Sequence, residues 1–426
     1  MRCGRIISLL ILLGLISYPQ ADIIHVPGEL PTIQAGIDAA AEGDTVELAN
    51  GTYQWDGNRD LDFGGKNLVV KSASGNPELC IIDSDGSQYD FHRAFTFHSG
   101  EGPESKLIGL GITGGYYESD YYSGGGGVHC DEGSSPTIEG CYFFGNYGGG
   151  LYCRNWSNVE VSNCRFVGNS DHVGGGASLL ASTCRFEHCV FQSNSAEHSG
   201  GGMRCQGVNL RMYDCKFIGN VAGSGAALDV IYGEHIYLED CLLKLNLAMQ
   251  SYWSCIINFH GMVTGELVNC TVVDNTTGLH GYGIVTSKMS HGILRGCTIT
   301  GNSVPSGTII VFGELDGLVE NTIIANNPGG LAMQIGSIVD ISCTNIWGNP
   351  EGDWTGNIAP YLGVNGNISL DPQYCDPTVG DYSLHVSSPC APGTPPNEEC
   401  DLIGAWPVGC STATKATSWS RVKTLY

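Results

Sequence analysis

The chain has 426 residues, 62 of them glycine, only 15 % charged, with a formal net charge of −24. That length exceeds what one compact core usually organises but suits a stacked array, and the glycine excess points to many tight corners. So acidic a surface argues against a nucleic-acid partner, and against anionic polymers unless a basic patch or bound cation intervenes.

At the N-terminus, Arg2 and Arg5 precede the apolar run from Ile6 to Ile16, and small Ala21 offers a cleavage point before Asp22. This is the pattern of a secretory signal over residues 1–21. The run is short of the ~20 apolar residues a membrane span needs, and no later segment is apolar enough to span. Losing Arg2 and Arg5 takes the formal charge from −24 to −26. The mature protein is expected outside the cell or at its surface, beginning near Asp22, without a transmembrane span and as a monomer.

Pro31 to Ala40 places Ile33, Ile37 and Ala40 on one helical face, with Thr32 as the cap. Such a helix would cover the open end of a stack, which otherwise exposes apolar rungs and unpaired strand edges. Strands begin at Thr45-Val46-Glu47-Leu48, and Cys80 to Asp83 and Phe95 to Phe97 mark less regular early coils.

From Cys141 the chain repeats Cys-x-apolar-x-x-Asn about every 25 residues. The phrase reads Cys141-x-Phe143-x-x-Asn146, Cys164-x-Phe166-x-x-Asn169, Cys189-x-Phe191-x-x-Asn194 and Cys215-x-Phe217-x-x-Asn220. It continues through Cys241, Cys270 and Cys297, then loses its cysteine in Asn321-x-Ile323-x-x-Asn326. Within one repeat, Val159 and Val161 alternate with polar residues, Asn163 breaks the pattern, and Cys164 and Phe166 alternate again. Two short strands around a polar corner fit this, with asparagine amides bonding from coil to coil as a ladder. A second phrase follows: Gly148-Gly149-Gly150-Leu151-x-Cys153, Gly174-Gly175-Gly176-Ala177-x-Leu179 and Gly200-Gly201-Gly202-Met203-x-Cys205. Its glycines make a turn and its alternating apolar residues begin a third strand. The expected fold is therefore all-β: a right-handed single-stranded parallel β-helix of about 10–12 coils over residues 22–350, three short strands per coil. A leucine-rich repeat also matches Leu294-x-x-Cys297-x-Ile299-x-x-Asn302, but it needs a convex helical segment where this chain has glycines and strands.

The seven cysteines of the repeat would stack ~4.8 Å apart with parallel Cβ vectors, a strained geometry for bridging, and are read as small buried hydrophobes. Cys375, Cys390, Cys400 and Cys410 lie outside the repeat and are the disulfide candidates, with three connectivities open. They belong to an expected C-terminal cap over residues 351–410, followed by a disordered tail, 411–426.

Pro31-Thr32-Ile33-Gln34-Ala35, Gly43-Asp44-Thr45-Val46 and Gly51-Thr52-Tyr53 resemble the opening of right-handed parallel β-helix proteins of the pectin-lyase-like superfamily. The later Gly-Gly-Gly and Phe-x-x-Asn phrases resemble repeats of bacterial polymorphic outer-membrane adhesins. The tail, with Gly380-Asp381-Tyr382-x-Leu384 and Ser388-Pro389-Cys390, looks like the end cap of exported bacterial β-helix proteins. The resemblance implies a fold over roughly Ile23 to Asn349. It does not choose among lyases, hydrolases, esterases, epimerases and noncatalytic surface proteins.

A β-helix works along an outer face, where one residue per coil forms a row. The outward positions after the glycine corners give His129, Tyr152, Ser178 and Arg204, and beside them Asp131, Arg154, Leu180, Gln206 and Asp229. Just before the corners, adjacent coils present Asp171-His172 and Glu197-His198, and Asp120 precedes the first glycine run. Asp171, His172, Glu197, His198 and Arg204 are the catalytic candidates. Lysis of an acidic glycan would use calcium on Asp171, Glu197 and Asp120, with Arg154, Arg204 or a histidine as base. Hydrolysis would use two carboxylates roughly 5–9 Å apart, for which Asp171 and Glu197 are the pair. Asp120, Tyr121, Tyr122, His129, Tyr152, Arg154 and Trp156 are the ligand-contact candidates, with Tyr116, Tyr117 and Tyr147 beside them. No zinc spacing, nucleophile motif or phosphate loop is present. The favoured function is a noncatalytic polysaccharide-binding or adhesion scaffold. The alternative is a polysaccharide lyase or glycoside hydrolase acting on acidic, pectin-like glycans.

Overall fold

A computed structural model describes residues 21–117, 124–249, 254–279, 281–305, 307–313, 316–333 and 337–411. Asp120, Tyr121 and Tyr122, nearly all of the expected signal peptide, and the tail from 412 onward lie outside them. The chain is a right-handed parallel β-solenoid of about 14 turns. Twelve strands, one per coil, line one face from Gly51–Tyr53 to Asn345–Trp347. A partial turn stands at each end: Ile23–Val26 pairs with Thr45–Leu48, and Asn345 bridges Ile368. The other two faces form one continuous sheet, because Met203–Tyr213 and Leu228–Glu239 run unbroken from one face to the next.

The N-terminal helix spans Ile33–Ala39, and the Thr32 hydroxyl accepts the Ala35 N–H at 3.3 Å. Ile33, Ile37 and Ala40 are buried as expected. A Cβ at Gly36 would stand 2.8 Å from Val46 Cγ1, so glycine lets the helix lie directly on the first strands.

Inside the coils the repeat phrase becomes three ladders. Phe143, Phe166, Phe191 and Phe217 stack nearly parallel with centroids 4.6, 4.7 and 4.8 Å apart. Each ring is fully buried, which stabilises the stack by about 1.5–3 kcal/mol per side chain. The seven cysteines are buried free thiols, each lying 3.2–3.5 Å from the carbonyl two residues before it. In the third ladder the amides of Asn146, Asn169, Asn194, Asn220, Asn246, Asn275 and Asn302 donate through Nδ2 to the next coil's asparagine Oδ1 at 2.9–3.1 Å. These asparagines do not themselves take the left-handed conformation. The residue before each does, as at Gly145, Gly168 and Ser193, and so does the residue before each cysteine, as at Asn163, His188 and Asp214.

The phrase does not end where the sequence suggests. Ile299 pairs with Ile324, and Asn302 bonds Asn327 rather than Asn326. Thr322 therefore stands in the cysteine's place, its hydroxyl accepting the Cys297 N–H at 3.3 Å and donating to the Glu320 carbonyl at 2.9 Å. Asn321 takes the corner with a φ of 49°. The spacing inside the coil is unchanged, five residues from Thr322 to Asn327 as from Cys297 to Asn302, and Asn326 takes the left-handed position before the ladder asparagine, as Gly301 does one coil earlier. Asp353 closes the ladder, accepting both the N–H and the amide of Asn349 at 2.9 Å.

Trp354 and Ile358 pack into the core at the C-terminal end. The following chain folds back along the twelve-stranded face, where Trp406 Nε1 donates to Thr271 Oγ1 at 2.8 Å and the Ala405 N–H to Thr298 Oγ1 at 2.9 Å. Two disulfides hold it, Cys343–Cys400 and Cys375–Cys410. This corrects the expectation that Cys390 is bridged. Cys390 is a fully buried free thiol against Asn345, 3.1 Å from its amide, and burial pushes it up to about 12. Cys343 takes its place as a bridge partner because it sits at the left-handed corner, φ 46°, where its side chain leaves the core; Thr344 holds the inward position.

Candidate functional site

Five coils carry a fourth short strand just before the glycine corner: Ser170–Val173, Ser195–Ser199, Val221–Ala222, Leu247–Ala248 and Thr276–Thr277. Sequence periodicity gave no sign of it, because segments of two to five residues are too short to carry an alternation. These strands stand beside the face that begins after the glycines. An open cleft of about 420 Å³ runs along that face, lined by His198, Asp229, Asn258, His260, Tyr282 and Lys288 among others.

The first row of outward positions follows the register. His129 pairs with Tyr152, Tyr152 with Ser178, Ser178 with Arg204, then Asp229, Asn258 and Thr286. Asp229 thus belongs to this row, not the neighbouring one. In the neighbouring row Gln206 is followed by Ile231, His260 and Lys288. Asn258, His260, Thr286 and Lys288 escaped sequence reasoning because the glycine triplet fades after Ala226. Counting back from Cys270 and Cys297, by the 11 or 12 residues that separate Tyr152, Ser178, Arg204 and Asp229 from the cysteine after each, would have found the strands that carry them.

His129 and Tyr152 are only 5 % and 3 % exposed, because the glycine turn passes over them. A Cβ at Gly125 would lie 3.0 Å from Tyr152 Cβ and 3.2 Å from His129 Cβ. Burial, with the Arg93 and Arg154 charges nearby, pushes His129 down to about 4. Arg154 is engaged with Asp131 through both Nε (2.7 Å) and a terminal nitrogen (2.6 Å), which holds the Asp131 carboxyl below its usual range. Trp156 is 76 % exposed. The tyrosines expected to stack on sugars stack on each other, Tyr116 on Tyr147 at 4.3 Å, and Arg93 lies over the Tyr117 ring at 3.3 Å.

Further along, the row is a connected and largely buried polar chain. Buried Arg204 donates to Ser199 Oγ at 2.7 Å and faces Asp229 at 3.7 Å. Asp229 accepts from Asn258 Nδ2 at 2.8 Å, and Thr286 donates to Asn258 Oδ1 at 3.1 Å. Asp229 is 2 % exposed, and its Oδ2 makes no hydrogen bond, only the longer ionic contact with Arg204. A buried carboxylate so arranged is stabilised by the guanidinium and leaves one acceptor unfilled.

The five catalytic candidates separate into groups. His172, Glu197 and His198 converge: each offers a ligating atom, all within 4.8 Å of one another, and His172 Nδ1 lies 2.7 Å from Glu197 Oε2. The cause is a bulge. Ser170 pairs with Ser195 and Asp171 with Ala196, but Val173 pairs with Ser199, so Glu197 and His198 together oppose the single residue His172. Asp171 turns the other way, its carboxylate toward Gly124 and Gly149. Arg204 lies in the floor. Asp171 and Glu197 are thus not a facing carboxylate pair.

The solenoid and its lateral cleft define the chain as a right-handed parallel β-helix protein. The family model described as a right handed beta helix region matches residues 109–243. No curated protein matches the chain in sequence. Among solved structures it is similar to the tailspike gp49 of Acinetobacter baumannii bacteriophage Fri1, a capsular polysaccharide depolymerase, at 15 % identity and a TM-score of 0.33 over 75 % of this chain. It spans 63 % of that tailspike's length. It is also similar to pectate lyase Pel9A (12 % identity, TM-score 0.42, 91 % of this chain and 96 % of that one) and to a rhamnogalacturonan lyase (12 %, 0.37, 78 % and 88 %). With so little shared sequence, the function has to be argued from this chain's own residues.

Proposed function

We propose that this is an extracellular carbohydrate-binding β-helix protein that holds an extended polysaccharide in the cleft between the five-stranded wall and the glycine-started face. The observation that carries it is the floor chain Arg204–Asp229–Asn258–Thr286, which repeats a hydrogen-bonding side chain once per coil over four coils. At ~4.8 Å per coil it extends about 14 Å. Arg204, Asp229 and Thr286 are 8 %, 2 % and 3 % exposed, so the chain is a braced base, and a polymer of hydroxyls would meet the cleft through half-buried Asn258 and through His260 and Lys288, the last two placed to meet a ring carboxylate. The two disulfides suit an oxidising location. A catalytic reading is favoured by one feature, the His172–Glu197–His198 cluster, whose last member lines the same cleft.

A panel of neutral and uronate-containing polysaccharides separates the two readings. Binding is measured by titration calorimetry, and chain cleavage by unsaturated-product absorbance and new reducing ends. Binding without product is the expected result. Product formation abolished by His172→Ala would replace the scaffold reading with the enzymatic one, and a panel without binding would remove both.

A further inference from the structure

The bulge that sets Glu197 and His198 against His172 creates a ligand set that the surrounding acidic surface does not. Two imidazole nitrogens and a carboxylate oxygen, each from an outward-facing side chain, lie within 4.8 Å of one another. Calcium takes six to eight oxygens, so this set suits it poorly. Zinc takes nitrogen and oxygen ligands at ~2.0–2.2 Å, which places neighbouring ligand atoms roughly 3.3 Å apart. The His172 Nδ1 to Glu197 Oε2 separation of 2.7 Å would open slightly and the remaining separations would close. The adjustment is small for side chains that are 30 % exposed at His172 and 64 % exposed at Glu197. The backbone that carries them is fixed, since the parallel strand continues from Ser195 to Val221 and on to Leu247.

We infer that His172, Glu197 and His198 form a binding site for a divalent transition metal, zinc in particular, at the mouth of the cleft. Three protein ligands leave tetrahedral zinc one position short, and water or a ligand oxygen entering the cleft beside His198 fills it. The metal would relieve the acid surface locally and give the cleft a point of attachment for an anionic group. This inference is independent of whether the cleft takes a glycan.

The test uses the full chain without an affinity tag of histidines. Zinc chloride is titrated calorimetrically, and cobalt(II) serves as a spectroscopic substitute whose visible bands report tetrahedral nitrogen and oxygen ligation. The expected result is one zinc per chain, which displaces cobalt bound to the metal-free protein and is not itself displaced by excess calcium. His172→Ala, His198→Ala and Glu197→Gln should each weaken it by about tenfold or more. His188→Ala, which removes an exposed imidazole paired with Asp214 at 3.0 Å, should leave it unchanged. Circular dichroism of each variant confirms that the solenoid is intact. No stoichiometric binding, full competition by calcium, or zinc affinity retained in the double variant His172→Ala/His198→Ala would each overturn the site.

Discussion

Replacing Asn220 by alanine tests the internal ladder most sharply. Its Oδ1 accepts the Asn194 N–H and the Asn194 amide, both at 3.0 Å, while its Nδ2 donates to the Phe191 carbonyl and to Asn246 Oδ1, both at 2.9 Å. Two of these losses are cushioned. The Asn194 amide keeps the Phe166 carbonyl, and Asn246 Oδ1 keeps the Asn220 N–H. The Asn194 N–H is left with no partner in the dry core, at about 1–3 kcal/mol, and the remaining lost bonds add about 0.5–1.5 kcal/mol each. Asn220→Ala should therefore destabilise the coil by about 2.5–7.5 kcal/mol. The control is Gln192→Ala in the adjacent coil, an exposed position expected to stay within about 0.5 kcal/mol of the parent. Because a solenoid opens in sections, urea midpoints should be paired with amide exchange at Asn194. If Asn220→Ala and Gln192→Ala have the same midpoint and Asn194 stays protected, the ladder is not a source of stability.

Two further outcomes follow from burial. His129, held near 4 against an unfolded value of about 6.5, binds its proton only on unfolding, so stability should rise with pH between about 4 and 6.5. His129→Asn should remove roughly 3 kcal/mol of that dependence, read from urea midpoints at pH 4 and 7; an unchanged slope would show that the imidazole titrates normally in the fold. In a chain begun at Asp22, a thiol reagent should find no fast-reacting cysteine in the native protein and fourteen after unfolding, matching the buried free cysteines. Prior reduction should add the four from the two bridges. Eighteen without reduction would mean that neither bridge forms.

The coil architecture was legible because the interior repeats: Cys164, Phe166 and Asn169 each recur at one stacked position, and stacking demands the same shape at every rung. Legibility failed where the demand relaxes. Thr322 can do a buried thiol's work, so the phrase continues one residue away from where Asn321 and Asn326 suggest. Cys343 falls within the repeat yet leaves the core from its corner, which spacing alone could not distinguish from Cys390. At the site, His172, Glu197 and His198 were singled out by matching offsets, but only the bulge explains why Asp171 is excluded. The far end of the cleft, from Asn258 to Lys288, was missed because its coils have lost the glycine triplet that marked the register.

Whether the cleft holds a glycan is answered most directly by one comparison. The best-binding polysaccharide of the panel is titrated against the parent protein, His260→Ala and Lys288→Ala on the rim, and Gln192→Ala on the twelve-stranded face. Each rim variant should bind about tenfold more weakly, equivalent to about 1.4 kcal/mol, and Gln192→Ala should bind as the parent does. Equal affinity in all four proteins would place the binding surface elsewhere on the solenoid.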